Sequence, residues 1–224
     1  KIIFRIMNFK KIFKESSQFE GFLVLWKKYK HLFFIKLGIK IVILLMMFLN
    51  GIACMPAQNY LMSYLREDLG YTIAQASHAW TAIGLIGMVG GFIMGSVADK
   101  FSVHKSLVLT YLLLGIATGL FLHHSNTYEI YLAAAIFGLS FNAIFGLVPA
   151  FVSLNFSKSL STLIFGIATV LLGLGSMLGN LWGGMIHDYT QSFLPIYQIS
   201  TITAFVLALL ALVLGRFSEY KNQT

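Results

Sequence analysis

The stretch AWTAIGLIGMVGGFIMGSV, residues 79–97, carries no charged side chain and has the length of a membrane-spanning helix. A bilayer core about 30 Å thick needs roughly 20 apolar residues per helix. Five further stretches of this kind occupy residues 37–64, 106–123, 128–154, 163–186 and 193–214, and charged residues occur only within their first few positions. Of all residues, 58% are hydrophobic and 11% charged. The sequence therefore predicts an all-α integral membrane protein with six transmembrane helices.

The distribution of Lys and Arg predicts how the chain crosses the membrane. With six spans, both termini and the loops after the second and fourth spans lie on one side. That side holds all of the 16 Lys and Arg residues except Arg66. Cytoplasmic loops carry such an excess, so we expect both termini in the cytoplasm and the protein in the plasma (cell inner) membrane. The net charge of +8 then reflects topology and attraction to membrane lipids, and no nucleic-acid binding is expected.

Three segments differ in composition. Residues 1–36 alternate apolar and basic residues at near-helical spacing, which is typical of a helix lying in the membrane interface. We interpret them as a basic amphipathic cytoplasmic linker, with a regulatory, lipid-sensing arm as the alternative. Residues 37–214 form the transmembrane bundle, and residues 215–224 form a cytoplasmic tail. The single cysteine, Cys54, excludes an intrachain disulfide framework.

Glycines recur at four-residue steps in two spans. Glycines at positions i, i+4 and i+8 leave a smooth face on a helix, along which a second backbone can approach closely. Two such helices, three spans apart, indicate a repeated three-helix unit, as in transporters built from internal repeats. The glycines are Gly87, Gly91 and Gly95 in the second span, and Gly175, Gly179 and Gly183 in the fifth.

The loop after the second span reads Gly95-Ser-Val-Ala-Asp99-Lys100-Phe-Ser-Val-His104-Lys105. It resembles the signature of the major facilitator superfamily: a glycine, an aspartate four residues later, and then basic residues. Ser102 stands where that family usually has a second glycine. The stretches 65–70 (LREDLG) and 179–188 (GNLWGGMIHD) resemble the connection between the seventh and eighth helices and the end of the eleventh helix in this family.

The resemblance implies that the six spans are helices seven to twelve, one bundle of a transporter fold. The linker then corresponds to the central cytoplasmic loop, and a six-helix N-terminal half is expected as partner, in the same polypeptide or separately. The implied activity is secondary active transport of a small solute by alternating access. Gly95, Asp99, Lys100 and Lys105 would form a cytoplasmic gating motif. The glycine faces, with Gly87, Gly91, Gly175, Gly179 and Gly183, would serve helix packing and meet the other bundle.

Polar residues at membrane depth are candidates for the substrate cavity. Asn50 and Gln58 lie in the first span and Asn142 at the centre of the fourth. In the fold that the chain resembles, helices seven and ten line the central cavity, so these amides are expected to meet solute there. An amide at this depth needs hydrogen-bonding partners. Hydrogen bonds between helices are the equally weighted alternative.

Other functions require residues that the sequence lacks. Asp, Glu and Arg are missing from the middle of every span, although these residues usually relay protons or bind anions there. We find no phosphate-cradling loop, catalytic pattern or metal-ligand cluster, and we expect no enzyme activity, no cofactor and no metal. The remaining alternative is a non-transporting membrane sensor, scaffold or remnant derived from the same fold.

Overall fold

A computed structural model describes residues 36–123 and 126–222, so that nearly all of the expected linker lies outside the described residues. Within these described residues, six helices are long and apolar enough to cross a membrane, and the all-α membrane fold expected from the sequence is confirmed. The helices are α1 (Lys36–Asn59), α2 (Ile73–Lys100), α3 (Val103–His123), α4 (Thr127–Asn155), α5 (Lys158–Thr190) and α6 (Leu194–Asn222). Helix α6 runs through most of the segment that the sequence assigned to the tail.

Helix α1 changes its winding at mid-length. A π-helical turn occupies Asn50–Cys54, and the backbone N–H of Met55 donates to the carbonyl of Asn50. Regular α-helix resumes at Met55–Asn59. Beyond a break at Tyr60, a short turn at Leu61–Ser63 leads into a second π-helical turn at Tyr64–Asp68. Pro56 follows the first π turn, and since proline lacks an N–H it cannot complete the hydrogen bonds of a regular helix.

The helices pack in an arrangement that repeats after three helices. Helix α2 packs mainly against α4, and α5 packs against α1 at the first π turn, while α3 packs against both α4 and α6. Helices α2 and α5 therefore occupy equivalent positions in the two triplets. They are also the most exposed spans, with 28% of the apolar window buried in each, compared with 56% in α4.

Hydrogen bonds from tyrosine hydroxyls connect the ends of three helices. The Tyr64 hydroxyl donates to the carbonyl of Phe121 at 2.8 Å, and the Tyr197 hydroxyl donates to the carbonyl of Ala57 at 2.8 Å. The rings of Tyr64 and Tyr197 stack with centroids 4.2 Å apart. The ends of α1 and α3 and the start of α6 thus lie at the same end of the bundle, as the alternation of six spans requires.

Candidate functional site

Asn50 lies inside the bundle rather than on an open face. Its side chain is fully buried in the first π turn, and neither amide atom hydrogen-bonds to another described residue. The expected α-helical repeat would place Asn50, Cys54 and Gln58 on one face, but the π turn changes that register. Gln58, by contrast, is partly exposed.

Buried polar groups with unused hydrogen-bonding capacity surround this part of α1. Cys54 is fully buried and lies beside Ser200 of α6. The hydroxyl of Tyr111 on α3 has no hydrogen-bond partner among the described residues. A buried polar group without a partner destabilises the conformation that holds it by about 1–3 kcal/mol. The unpartnered side chains of Asn50 and Tyr111 are therefore expected to lower the stability of the bundle.

Asn142 lies on the exposed surface of α4. Its amide nitrogen donates to the carbonyl of Gly138, one turn earlier, at 3.0 Å. Its amide oxygen accepts no hydrogen bond from the described residues. Phe145, three residues further along α4, is 39% exposed. The structure thus separates the three expected cavity residues, with Asn50 enclosed, Gln58 partly exposed and Asn142 on the surface.

Most of the singled-out glycines lie at close helix contacts within this bundle. A Cβ on Gly175 would lie 2.5 Å from the carbonyl oxygen of Phe48, and one on Gly179 would collide with the carbonyl oxygen of Ile52. A Cβ on Gly87 would collide with the amide nitrogen of Asn142, and one on Gly183 would lie 2.7 Å from a carbon of the Tyr60 ring. Gly175 and Gly179 require glycine because backbone atoms of α1 leave no room for a side chain, whereas at Gly87 and Gly183 the nearest atoms belong to side chains.

Gly91 differs from the other four glycines. A Cβ at Gly91 would meet no described atom within 4 Å, and the same holds for Gly95. The surrounding surface of α2 is apolar and open, and Phe92 is 79% exposed. This face of α2 is therefore available to lipid or to another protein segment.

The loop motif after α2 lies on the surface. Asp99 and Lys100 end α2 as exposed residues, and the Lys100 ammonium lies 5.5 Å from the centroid of the Phe101 ring. No ion pair or hydrogen bond joins the Asp99 carboxylate to another residue in the described part of the chain. The backbone N–H of Lys105 donates to the Ser102 hydroxyl at 3.4 Å.

A cluster at the opposite end of the bundle was not expected from the sequence. One carboxylate oxygen of Asp68 accepts hydrogen bonds from the Ser192 hydroxyl at 2.6 Å, the Phe193 N–H at 2.8 Å and the Leu194 N–H at 3.1 Å. Asp68 thereby caps α6, because the first N–H groups of a helix lack partners within it. The sequence signal was Ser192 just before an apolar helix, but nothing local indicated a distant carboxylate.

Two further contacts join the same elements. The His187 imidazole lies 3.4 Å from the carboxylate of Glu67 and stacks on Phe193 with centroids 4.0 Å apart. The Tyr60 hydroxyl donates to the Asn180 carbonyl at 2.7 Å. The segment that follows α1 thus contacts both α5 and α6.

The described residues contain no group of three His, Cys, Asp or Glu side chains placed to hold a metal ion.

The family model described as "Major Facilitator Superfamily" matches residues 36–223. A search of curated proteins finds no match to the chain. The matched region includes all six membrane-spanning helices.

Proposed function

The chain belongs to the major facilitator superfamily, and we propose that it forms the C-terminal six-helix half of a secondary transporter that moves a small solute by alternating access. The observation that carries this proposal is the unequal exposure of the helices. The two helices in equivalent positions, α2 and α5, leave more than two thirds of their apolar windows uncovered. A second bundle of similar size would cover these faces and enclose a cavity between the halves.

Asn142 is the best-supported contact for solute. It is polar, lies at the middle of a span and is exposed on this bundle, so its amide oxygen could accept a hydrogen bond from solute. Gln58 is a second candidate because it is partly exposed. Asn50 would act differently, since its enclosed amide could reach solute only after α1 rewinds at the π turn. Single-turn π segments inside α-helices are frequent at functional sites.

The loop motif would act at the cytoplasmic end. Asp99 and Lys100 are exposed, so their charges are available to a helix of the other bundle when the cytoplasmic side closes. A carboxylate is favourable at a helix N-terminus, and breaking such a contact would accompany opening. In this account Gly91 and Gly95 allow the other bundle to approach α2 closely, and both termini of the chain are cytoplasmic in the plasma membrane.

Thiol labelling tests whether the exposed face of α4 lines an aqueous cavity. In the whole protein, with Cys54 and any cysteine outside these 224 residues replaced by alanine, Asn142→Cys is compared with Ile116→Cys. Ile116 is the matched control because it is a 48% exposed mid-span residue, on α3. We expect a charged, membrane-impermeant thiol reagent to modify the Asn142→Cys variant and to spare the control. Equal protection of both variants would place this face of α4 in lipid and contradict the proposal.

A further inference from the structure

A groove with basic residues at one end lies between the start of α3 and residues 209–216 of α6. Its volume is about 520 Å³. The apolar wall consists of Val108 on α3 and Leu209, Leu212 and Val213 on α6. The polar end consists of His104, Lys105 and Arg216, and no acidic side chain lines the groove among the described residues.

The backbone is shaped to bring these residues together. The His104 ring lies directly against Gly215, where a Cβ would be 2.9 Å from the imidazole Nε2. Glycine at this position therefore lets the start of α3 approach α6 closely, so that Lys105 and Arg216 line one groove from separate helices. Both of these cationic residues are exposed. Two cationic residues that line one groove from separate helices suit a phosphate group, which accepts several charge-assisted hydrogen bonds.

The apolar wall of the groove indicates what kind of phosphate-bearing molecule would fit there. Leu209 is 62% and Leu212 50% exposed, and they lie along α6 toward the middle of the membrane from Arg216. A free anion would gain nothing from this surface. An acyl chain would cover it, because burial of apolar area is favourable in proportion to its extent.

We propose that this groove binds an anionic phospholipid, with its phosphate between Lys105 and Arg216 and its acyl chains along Leu209 and Leu212. Basic pockets between transmembrane helices recognise anionic lipid headgroups in this way. The site lies between α3 and α6 and makes no use of Asn142 or of the faces assigned to the other bundle. It shares Lys105 with the expected cytoplasmic gating motif, but lipid binding in the groove does not require transport activity. With the orientation proposed above, the lipid belongs to the cytoplasmic leaflet.

Lipid retention by the whole purified protein tests this inference. Delipidated protein is titrated with phosphatidylglycerol or with phosphatidylcholine of the same acyl chains, and bound lipid is counted by native mass spectrometry. We expect one phosphatidylglycerol to bind in preference to phosphatidylcholine. The double variant Lys105→Gln/Arg216→Gln should weaken that binding about thirtyfold, since each basic residue near an anionic headgroup contributes about 1 kcal/mol and 1.4 kcal/mol corresponds to a factor of ten.

Two further variants distinguish lipid binding in the groove from nonspecific attraction of anionic lipid to basic residues. Lys36→Gln/Lys158→Gln removes the same charge elsewhere and should leave phosphatidylglycerol binding unchanged. Val108→Trp keeps the charge but fills the groove, and should abolish the preference. Equal weakening in both charge variants, or wild-type binding by Val108→Trp, would overturn the proposal. Displacement of the lipid by millimolar inorganic phosphate would also overturn it, because the groove would then be a free-anion site.

Discussion

A close backbone contact at Gly175 allows a direct test of the packing of α5 on α1. In the Gly175→Ala variant the new Cβ would lie 2.5 Å from the Phe48 carbonyl oxygen, 3.0 Å from the Ile52 nitrogen and 3.2 Å from the Gly51 Cα. All three neighbours are backbone atoms, so no side chain can rotate away. The two helices would have to separate by about 1 Å to restore ordinary contact distances.

The matched control lies two residues away on the same helix. Gly173 is exposed, and a Cβ there would meet no described atom within 4 Å. Both substitutions gain the helix propensity of alanine over glycine, about 1 kcal/mol, and only Gly175→Ala adds overpacking, at about 1–3 kcal/mol. We therefore expect Gly175→Ala to be less stable than Gly173→Ala by about 1–3 kcal/mol.

The chain itself provides the assay. Cys54 is the one cysteine of the sequence and is fully buried, so a thiol-reactive dye reports its exposure as the bundle unfolds on heating. For a chain of this size, 1 kcal/mol corresponds to roughly 2–4 °C in Tm. Gly175→Ala should unfold several degrees below Gly173→Ala. Equal unfolding temperatures, or a higher one for Gly175→Ala, would refute the close packing of α5 on α1.

Two further predictions use the same assay, and a third combines it with a transport measurement. Asn50→Leu should raise the unfolding temperature, because it removes a buried amide that costs about 1–3 kcal/mol when unpaired; a lower temperature would mean that the amide is satisfied. Asp68→Ala should lower stability by about 0.5–2 kcal/mol, since the α6 N–H groups lose their cap, and unchanged unfolding would argue against the cap. Gly91→Leu should leave unfolding of this bundle unchanged but block transport by the whole protein, as measured in vesicles; normal transport would exclude Gly91 from the contact between bundles.

The sequence was sufficient to predict the six spans but not the ends of their helices. The fifth span was expected at residues 163–186, whereas α5 runs over Lys158–Thr190. The sequence analysis placed the ends of this span where the run of apolar residues stops. The helix itself continues into the flanking polar residues, because its backbone hydrogen bonds persist there. Ser157 is its N-cap and Gln191 its C-cap.

The position of Asn50 shows why the candidate site was only partly predictable. Spacing along the sequence assumes a constant helical repeat, and the π turn at Asn50–Cys54 breaks that assumption. Pro56 marks an interruption but does not specify its form. The glycine spacing likewise predicted close approach of a second backbone. It could not identify Phe48 and Ile52 as the partners, since these contacts depend on how α1 and α5 pack.

The central claim, that this bundle works with a second bundle of similar size, is tested most directly by the intact mass of the native assembly in its membrane. The chain itself has a mass of 25.0 kDa. We predict that residues 36–223 occur in a polypeptide of about twice that mass, or in a complex with a partner of similar size, as two six-helix halves require. A native species of 25.0 kDa without such a partner would contradict the account.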